Sequence, residues 1–134
     1  MELCPTCFKD VCKHKSEKFP CDELMVYPIQ RLNELGYKTK FCCSGHIEED
    51  HSGPYNLQVY IMFTKMYYFK KLPMGFDLYF NSYSGVWVLE FTKVVMPDDF
   101  QRKHTAILTA HRHLSDWLLG LDPYDGTEYQ IKRN

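Results

Sequence analysis

Cysteine and histidine residues are concentrated near the start of this chain of 134 residues. Cys4 and Cys7 form a Cys-x-x-Cys pair, and Cys12, His14 and Cys21 follow before the first long apolar pattern. This spacing lets one tight turn direct two thiolates at the same ion, as in structural zinc sites. The surrounding segment is polar and rich in lysine, so it buries little apolar surface by itself. Its order is therefore predicted to depend on a bound zinc ion.

The predicted zinc ligands are Cys4, Cys7, Cys12 and either Cys21 or His14, because a structural zinc site needs four ligands in a tetrahedron. Cys21 is favoured, since it precedes a predicted helix whose dipole stabilises a thiolate. His14 is the alternative, because a knuckle can bring it to the ion that Cys12 binds. Thioredoxin-like redox chemistry is disfavoured, since no strand is expected before Cys4. A structural ion is preferred over a catalytic one, which usually keeps an open coordination position.

The bulk composition predicts one globular domain. Apolar residues make up 45% of the chain, charged residues 25%, and the net charge is -1, so nucleic acid is not indicated as a partner. The N-terminus has no basic segment followed by an apolar one, and no apolar run approaches the roughly 18 residues of a membrane span. A cytoplasmic protein with reduced cysteines and no membrane association is therefore predicted.

Hydrophobic periodicity and turn residues divide the chain into three parts. They are a zinc-binding arm over residues 1–21, an α+β core over residues 22–121 and a polar tail over residues 122–134. In the core, a helix precedes a strand, three further strands follow, and a long helix comes last. This order predicts an α+β fold: a mainly antiparallel sheet of about four strands covered by two helices, with a metal-binding knuckle at its N-terminus.

The predicted elements follow from caps, periodicity and turn residues. One helix runs from an Asp22 N-cap through a kink at Pro28 to Gly36. The other runs from Asp98 or Asp99 to Leu119, and Gly120 ends it. The buried stripe of the second helix is predicted to include Phe100, Ile107, Leu108, Leu114, Trp117, Leu118 and Leu121. Strands are predicted at residues 37–43, 57–64, 77–82 and 86–92, the last two as a hairpin, and a short helix at residues 65–72.

A second cluster, Cys42-Cys43-Ser44-Gly45-His46, follows the first predicted strand of the core. Neighbouring residues on a strand point to opposite faces, so Cys43 is predicted to share a face with Thr39 and Cys42 to lie on the other. The two cysteines are therefore not expected to act on one target. A Cys/His pair is the minimal activated nucleophile, but no third, orienting group is recognisable. Three interpretations remain open: a buried cysteine before a tight turn, covalent catalysis, and contact with a ligand, including a second metal completed by His51 or Asp50.

Other residues with chemical potential are distributed along the chain. His104 and His111 lie seven positions apart on one helix, about 10.5 Å along its axis, so they cannot share an ion. Each is predicted to be a hydrogen-bonded residue at the edge of the core, and either can face the turn at Cys43 across the sheet. Several tyrosines are candidates for stacking on a base or another ring, namely Tyr55, Tyr60, Tyr67 and Tyr68.

The segment from Gly36 to His46, together with the preceding Leu32-Asn33-Glu34-Leu35, resembles a group of small cysteine-rich proteins of Gram-positive bacteria and their phages. In that group a cysteine-rich start precedes a Gly-Tyr-x-Thr…Cys-x-Gly-His motif. This resemblance implies no activity. The turn Cys43-Ser44-Gly45 is also similar to the Ser-Cys-Ser-Gly turn of the tRNA wybutosine-synthesising methyltransferase family. That similarity covers three residues, and His46 replaces the basic residue that follows in the family.

These observations predict a zinc-stabilised binding protein. Its partner is either another protein or a small nucleotide-like ligand, recognised near the turn from Cys43 to His46. The alternative is a small hydrolase or transferase that uses Cys42 or Cys43 with His46.

Overall fold

The computed structural model describes residues 1–5, 7–15, 17–45 and 52–126. Two helices and a four-stranded antiparallel sheet form the core, and a short two-stranded sheet closes the N-terminal arm. The predicted α+β fold is confirmed. In chain order the elements are β1 (Glu2–Leu3), β2 (Phe19–Pro20), α1 (Glu23–Glu34), β3 (Thr39–Cys43), β4 (Tyr55–Phe63), β5 (Phe76–Asn81), β6 (Val86–Val95) and α2 (Phe100–Leu119).

The four-stranded sheet has the order β3-β4-β6-β5, and each neighbouring pair is antiparallel. Alternate residues of β4 are buried, as expected for a strand with one face against a core. The buried residues of both helices belong to the same apolar cluster as this face of β4. The two helices therefore cover one face of the sheet and leave the other face to solvent. The residues of β4 that face the helices are Leu57, Val59, Ile61 and Phe63.

An irregularity in β3 changes which of its cysteines points inward. Thr39 pairs with Phe63 and Cys42 pairs with Ile61, so the register shifts between Thr39 and Cys42. Directly paired residues share a sheet face, which places Cys42 on the helix-covered side. Strict alternation predicted that Cys43 would share a face with Thr39. That prediction is wrong, because the bulge inserts one residue into the strand.

Helix α1 begins at its predicted N-cap, Asp22, and contains Pro28 without ending there. It stops before Gly36, whose φ of +95° lies in the left-handed region. A Cβ atom on Gly36 would lie 3.2 Å from the Cβ atom of Tyr124, so the chain also approaches this position closely. Glycine therefore meets both the conformational and the steric requirement at the end of α1.

Helix α2 has the predicted ends, but its buried stripe differs from the predicted one. The side chain of Asp99 caps the helix by accepting a 3.1 Å hydrogen bond from the backbone N–H of Arg102. Phe100 and Leu108 are exposed, at 57% and 60%. Lys103 is buried instead, and its ammonium group donates a 2.6 Å hydrogen bond to the carbonyl oxygen of Pro97. The aliphatic part of this lysine is thus buried while its ammonium group is hydrogen-bonded.

The segment at residues 65–72 is irregular, so the short helix predicted there is wrong. Tyr67 and Phe69 are buried whereas the intervening Tyr68 is 64% exposed, which is the alternation of an extended chain. Both buried rings join an aromatic cluster beneath the sheet. Tyr67 meets the ring of Phe63 at a centroid distance of 5.6 Å, and Phe69 meets Trp117 at 5.1 Å.

The beginning of the predicted polar tail packs on the core. The backbone N–H of Tyr124 donates a 2.7 Å hydrogen bond to the carbonyl oxygen of Leu35. The hydroxyl group of Tyr37 donates to the carbonyl oxygen of Asp122 at the same distance, 2.7 Å. The ring of Tyr124 also meets Tyr67 edge-on, with centroids 4.9 Å apart. Residues 127–134 lie outside the described part of the chain.

Candidate metal centre

The N-terminal arm is closed at its base by the antiparallel pair β1 and β2. Leu3 lies opposite Phe19, and the backbone N–H of Cys21 donates a 2.8 Å hydrogen bond to the carbonyl oxygen of Met1. Leu3 is fully buried and belongs to the main apolar cluster. A strand therefore does precede Cys4, contrary to the prediction, although it is only two residues long.

Beyond this base, the chain turns tightly after Cys4. The backbone N–H of Cys4 donates to the carbonyl oxygen of Lys9 at 2.9 Å, and that of Phe8 donates to the carbonyl oxygen of Cys4 at 2.8 Å. Phe8 adopts a positive φ of 60°, which closes the turn. The side-chain amide of Gln30 on α1 donates a 2.8 Å hydrogen bond to the carbonyl oxygen of Phe8. The turn that carries the Cys-x-x-Cys pair is thus attached to the core helix.

Four potential metal ligands come together at this turn: Cys4, Cys7, Cys12 and His14. The three sulfur atoms and one imidazole nitrogen all lie within 4.8 Å of one another. Cys4 is buried, Cys7 and Cys12 are half-buried, and His14 is exposed. Within the described ranges this is the one group of three or more such residues that can hold a metal ion.

Local interactions act in opposite directions on the Cys12 thiol. A backbone hydrogen bond at His14 favours the thiolate, but burial and the neighbouring thiols of Cys4 and Cys7 outweigh it and raise the pKa of Cys12. Crowded sulfur atoms disfavour one another's negative charge. A divalent cation at their centre would reverse this effect, since metal ligation requires and stabilises thiolates.

The structure places His14 in this group and Cys21 outside it, which favours the alternative fourth ligand, His14, over Cys21. Cys21 follows β2 at the base of the arm and is 5% exposed. Its sulfur accepts a hydrogen bond from the thiol of Cys42 and donates to the carbonyl oxygen of Asp22 at 3.7 Å. The pairing of β1 with β2, which sequence analysis did not predict, directs Cys21 into the core.

The partner of Cys21 is Cys42, the cysteine of β3 that faces the helices. Burial, with the neighbouring Cys21 and Asp22 as smaller contributions, raises the pKa of Cys42 to about 12. A thiol with such a pKa carries almost no thiolate at neutral pH. Cys43 lies opposite Tyr60, on the other sheet face, and is 8% exposed. Both cysteines of the second cluster are therefore largely protected from solvent.

Ser44 connects the end of β3 with both helices. Its hydroxyl group donates a 2.8 Å hydrogen bond to the carboxylate of Asp22, the N-cap residue of α1. Its carbonyl oxygen lies 3.0 Å from Nε2 of His111 on α2. The position predicted for His111, at the edge of the core and facing the turn, is therefore observed, whereas His104 is exposed. Burial lowers the pKa of His111, so the neutral imidazole is favoured.

Gly45 completes the described part of this turn. Its φ is +97°, and a Cβ atom there would lie 3.0 Å from two side-chain carbon atoms of Ile107. The turn therefore rests directly on α2. The predicted ligand-binding residue His46, and Asp50 and His51 of the proposed second metal site, lie outside the described residues.

Comparison with known proteins finds no match: no protein-family model fits the chain, and no curated protein or solved structure is significantly similar to it. The resemblance to the small cysteine-rich proteins, and to the wybutosine family, therefore stays a prediction. Among the described residues, neither helix has the length and apolar character needed to cross a membrane.

Proposed function

We propose that this chain is a small binding domain whose N-terminal arm is held by a structural zinc ion. The observation that supports the proposal most directly is the group formed by Cys4, Cys7, Cys12 and His14. Four protein ligands fill a tetrahedral coordination sphere and leave no position for a substrate or an activated water. A site of this composition stabilises a fold rather than catalysing a reaction.

Zinc is the ion that this set of donors fits best. Three thiolates and one imidazole form a common structural zinc site, and soft sulfur ligands disfavour magnesium and calcium. Sulfur atoms about 2.3 Å from a tetrahedral ion lie about 3.8 Å apart, which is compatible with the observed limit of 4.8 Å between ligand atoms. The ion would be coordinated by Cys4, Cys7, Cys12 and His14, with Cys21 in the core.

The binding surface is proposed to include the turn from Cys43 to His46, where a protein partner or a small nucleotide-like ligand is recognised. A hollow of about 300 Å³ adjoins Cys43 and Tyr60, and Asn56 and Gln58 of β4 also line it. It offers amide and hydroxyl groups beside a tyrosine ring. Such groups fit the recognition of a partner better than a covalent reaction.

The alternative, a Cys/His-dependent hydrolase or transferase, receives less support from the described residues. The raised pKa of Cys42 is the opposite of what an activated nucleophile requires. Thiol labelling of the zinc-loaded protein at pH 7 separates the two proposals. We expect slow labelling of both Cys42 and Cys43, whereas one rapidly labelled cysteine at either position would favour the enzyme.

Metal analysis tests the leading proposal. Native mass spectrometry and elemental analysis of the purified chain are expected to find one zinc ion per molecule. The substitutions Cys12→Ser and His14→Ala should reduce this stoichiometry, whereas the matched changes Cys21→Ser and Cys42→Ser should leave it at one. A polypeptide without bound metal, or zinc lost with Cys21→Ser but retained with His14→Ala, would contradict the proposed site.

A further inference from the structure

A groove of about 750 Å³ lies between the irregular segment after β4 and the C-terminal end of α2. Residues 68–71 form one side, and residues 116–117 and 120–125 form the other, with Tyr37 at the base. Its volume falls within the range of about 300 to 1,000 Å³ that is usual for small-molecule sites. No residue of the proposed zinc group and no residue of the turn at Cys43 lines it.

Aromatic side chains give this groove a stacking surface. Phe69 meets Trp117 edge-on at a centroid distance of 5.1 Å, and Tyr37 meets Tyr124 at 5.7 Å. The indole N–H of Trp117 donates a 2.7 Å hydrogen bond to the carbonyl oxygen of Lys71, which fixes the indole against the segment after β4. Tyr68 is 64% exposed at the same groove. Tyr37 and Phe69 are themselves buried, so they support the half-buried rings of Trp117 and Tyr124. Planar heterocycles stack on partly exposed rings held in this way.

Charged groups of both signs surround the rings. Two carboxylates, those of Asp122 and Asp125, line the groove on the segment after α2. Lys70 and Lys71 come from the segment after β4, and Asp116 comes from α2. In the part of the chain that the structure describes, none of these three side chains forms an ion pair. An ammonium group donates hydrogen bonds to phosphate oxygens, and a carboxylate accepts hydrogen bonds from hydroxyl groups. The groove thus combines a ring platform with a basic side that can bind an anion and an acidic side that can accept hydrogen bonds from hydroxyl or amino groups.

We infer that this groove binds a nucleoside monophosphate, an inference that rests on the proposed function of the chain as a binding domain. The base would stack on the aromatic side chains, the phosphate would contact Lys70 and Lys71, and the ribose hydroxyls would donate to Asp116. A purely cationic ligand would meet the three carboxylates on one side but would be repelled by both lysines on the other, whereas a ligand with a phosphate at one end and hydroxyl or amino donors at the other suits both sides. A nucleotide is the ligand class that uses all three features.

Fluorescence titration tests this inference on the zinc-loaded full chain. The substitution Trp87→Phe leaves Trp117 as the remaining tryptophan, so the signal reports on the groove. The probes are the 5′-monophosphates of adenosine, guanosine, cytidine and uridine, with adenosine and inorganic phosphate tested separately. We expect saturable quenching by at least one nucleotide. Adenosine alone and phosphate alone should each bind at least about tenfold more weakly than that nucleotide, because each lacks one set of contacts.

Variants at the groove locate the site. Tyr68→Ala and the double change Lys70→Ala/Lys71→Ala should each weaken nucleotide binding by about tenfold. The controls Tyr83→Ala and Lys93→Ala alter exposed residues outside the groove and should leave the affinity unchanged. Circular dichroism spectra that match those of the parent protein would show that the variants fold.

Several results would overturn the inference. One is the absence of quenching by any of the four nucleotides at millimolar concentration, and another is equal affinity for adenosine and its monophosphate. Equal effects of the groove and control substitutions would also contradict it. So would binding of a lysine-rich or arginine-rich peptide in place of nucleotides. Zinc content is measured on the same samples. A zinc-loaded protein that ignores nucleotides would contradict the groove assignment alone, whereas a protein without zinc would contradict the proposed function.

Discussion

The Ser44 hydroxyl group donates its hydrogen to a carboxylate oxygen of Asp22, 2.8 Å away, and so joins the end of β3 to the start of α1. Asp22 is the N-cap residue of that helix, yet its side chain makes no capping hydrogen bond. The contact with Ser44 therefore replaces the usual local role of an N-cap aspartate. Since the Ser44 carbonyl group also meets His111, one residue holds both helices against the same turn.

Removal of this hydroxyl group should destabilise the fold measurably. Ser44→Ala is expected to lower the free energy of unfolding by about 1 to 2 kcal/mol, because a hydrogen bond to a charged group is lost at a buried position. Urea unfolding of Ser44→Ala, Asp22→Ala and the double variant measures the coupling between them, expected to be about 1 kcal/mol. Ser84→Ala in the exposed hairpin loop serves as the control. Additive effects of the two changes would argue against the contact.

Acidification should weaken the contact between α2 and the turn through His111. Burial lowers the pKa of this imidazole in the folded state, whereas the unfolded state takes up its proton near pH 6.5. Below about pH 6.5 the unfolded state therefore binds more protons than the folded state. The stability that the buried neutral imidazole contributes above this pH is lost as the pH falls toward the lower pKa of the folded state.

The variant His111→Gln isolates this effect, because its amide can still donate to the carbonyl group of Ser44 but does not titrate. Urea unfolding between pH 7.5 and 5.5, with zinc at a constant excess, should show a shallower loss of stability than in the parent protein. His104→Gln, at an exposed position of the same helix, should follow the parent curve. Acid affects the zinc ligands equally in all three proteins. If the free energy of unfolding changes with pH by the same amount in all three, the role assigned to His111 is excluded.

A side chain at Gly36 should strain the end of α1. Gly36→Ala is expected to destabilise the protein by about 1 to 3 kcal/mol, because alanine disfavours a positive φ and its Cβ would press on Tyr124. Gly120→Ala at the end of α2 is the matched control, since its φ is negative and its surroundings are open. Thermal unfolding of the two variants checks the difference. Equal melting temperatures would contradict it.

Chelation of zinc should loosen the arm while the core remains folded. Hydrogen exchange measured with and without a chelator is expected to show lost protection at the turn beginning at Cys4, because its backbone hydrogen bonds depend on ligands held at one ion. Amides of β4 and β6 should keep their protection. Unchanged exchange at Cys4 and Phe8 after verified zinc removal would show that the turn forms without metal.

Much of the core was predictable because its local signals agree with its tertiary contacts. Helix α2 begins after Asp99 and ends at Gly120, as expected. The turn that joins β5 to β6 is stabilised by Asn81, whose side chain accepts hydrogen bonds from two backbone N–H groups. Cap and turn residues act over a few positions, so they can be recognised in the sequence. The alternation in β4 was equally clear, since one of its faces is buried throughout.

The remaining features depend on contacts between distant segments. The bulge in β3 depends on pairing with β4, and the extended path of Tyr67 and Phe69 depends on an aromatic cluster that unites several elements. The assignment of Cys21 to the core and of His14 to the metal group depends on the pairing of β1 with β2. A two-residue strand gives almost no periodic signal, so sequence spacing could not decide between the two ligands.

The bulge in β3 also affects how this molecule meets its own copies. β3 is an edge strand, and an edge with a regular row of unpaired backbone groups can recruit a strand from another chain. A register shift interrupts that row and twists the strand locally, and Lys38 and Lys40 add positive charge near the interruption. The same irregularity that directs Cys42 into the core thus helps keep neighbouring molecules from extending the sheet.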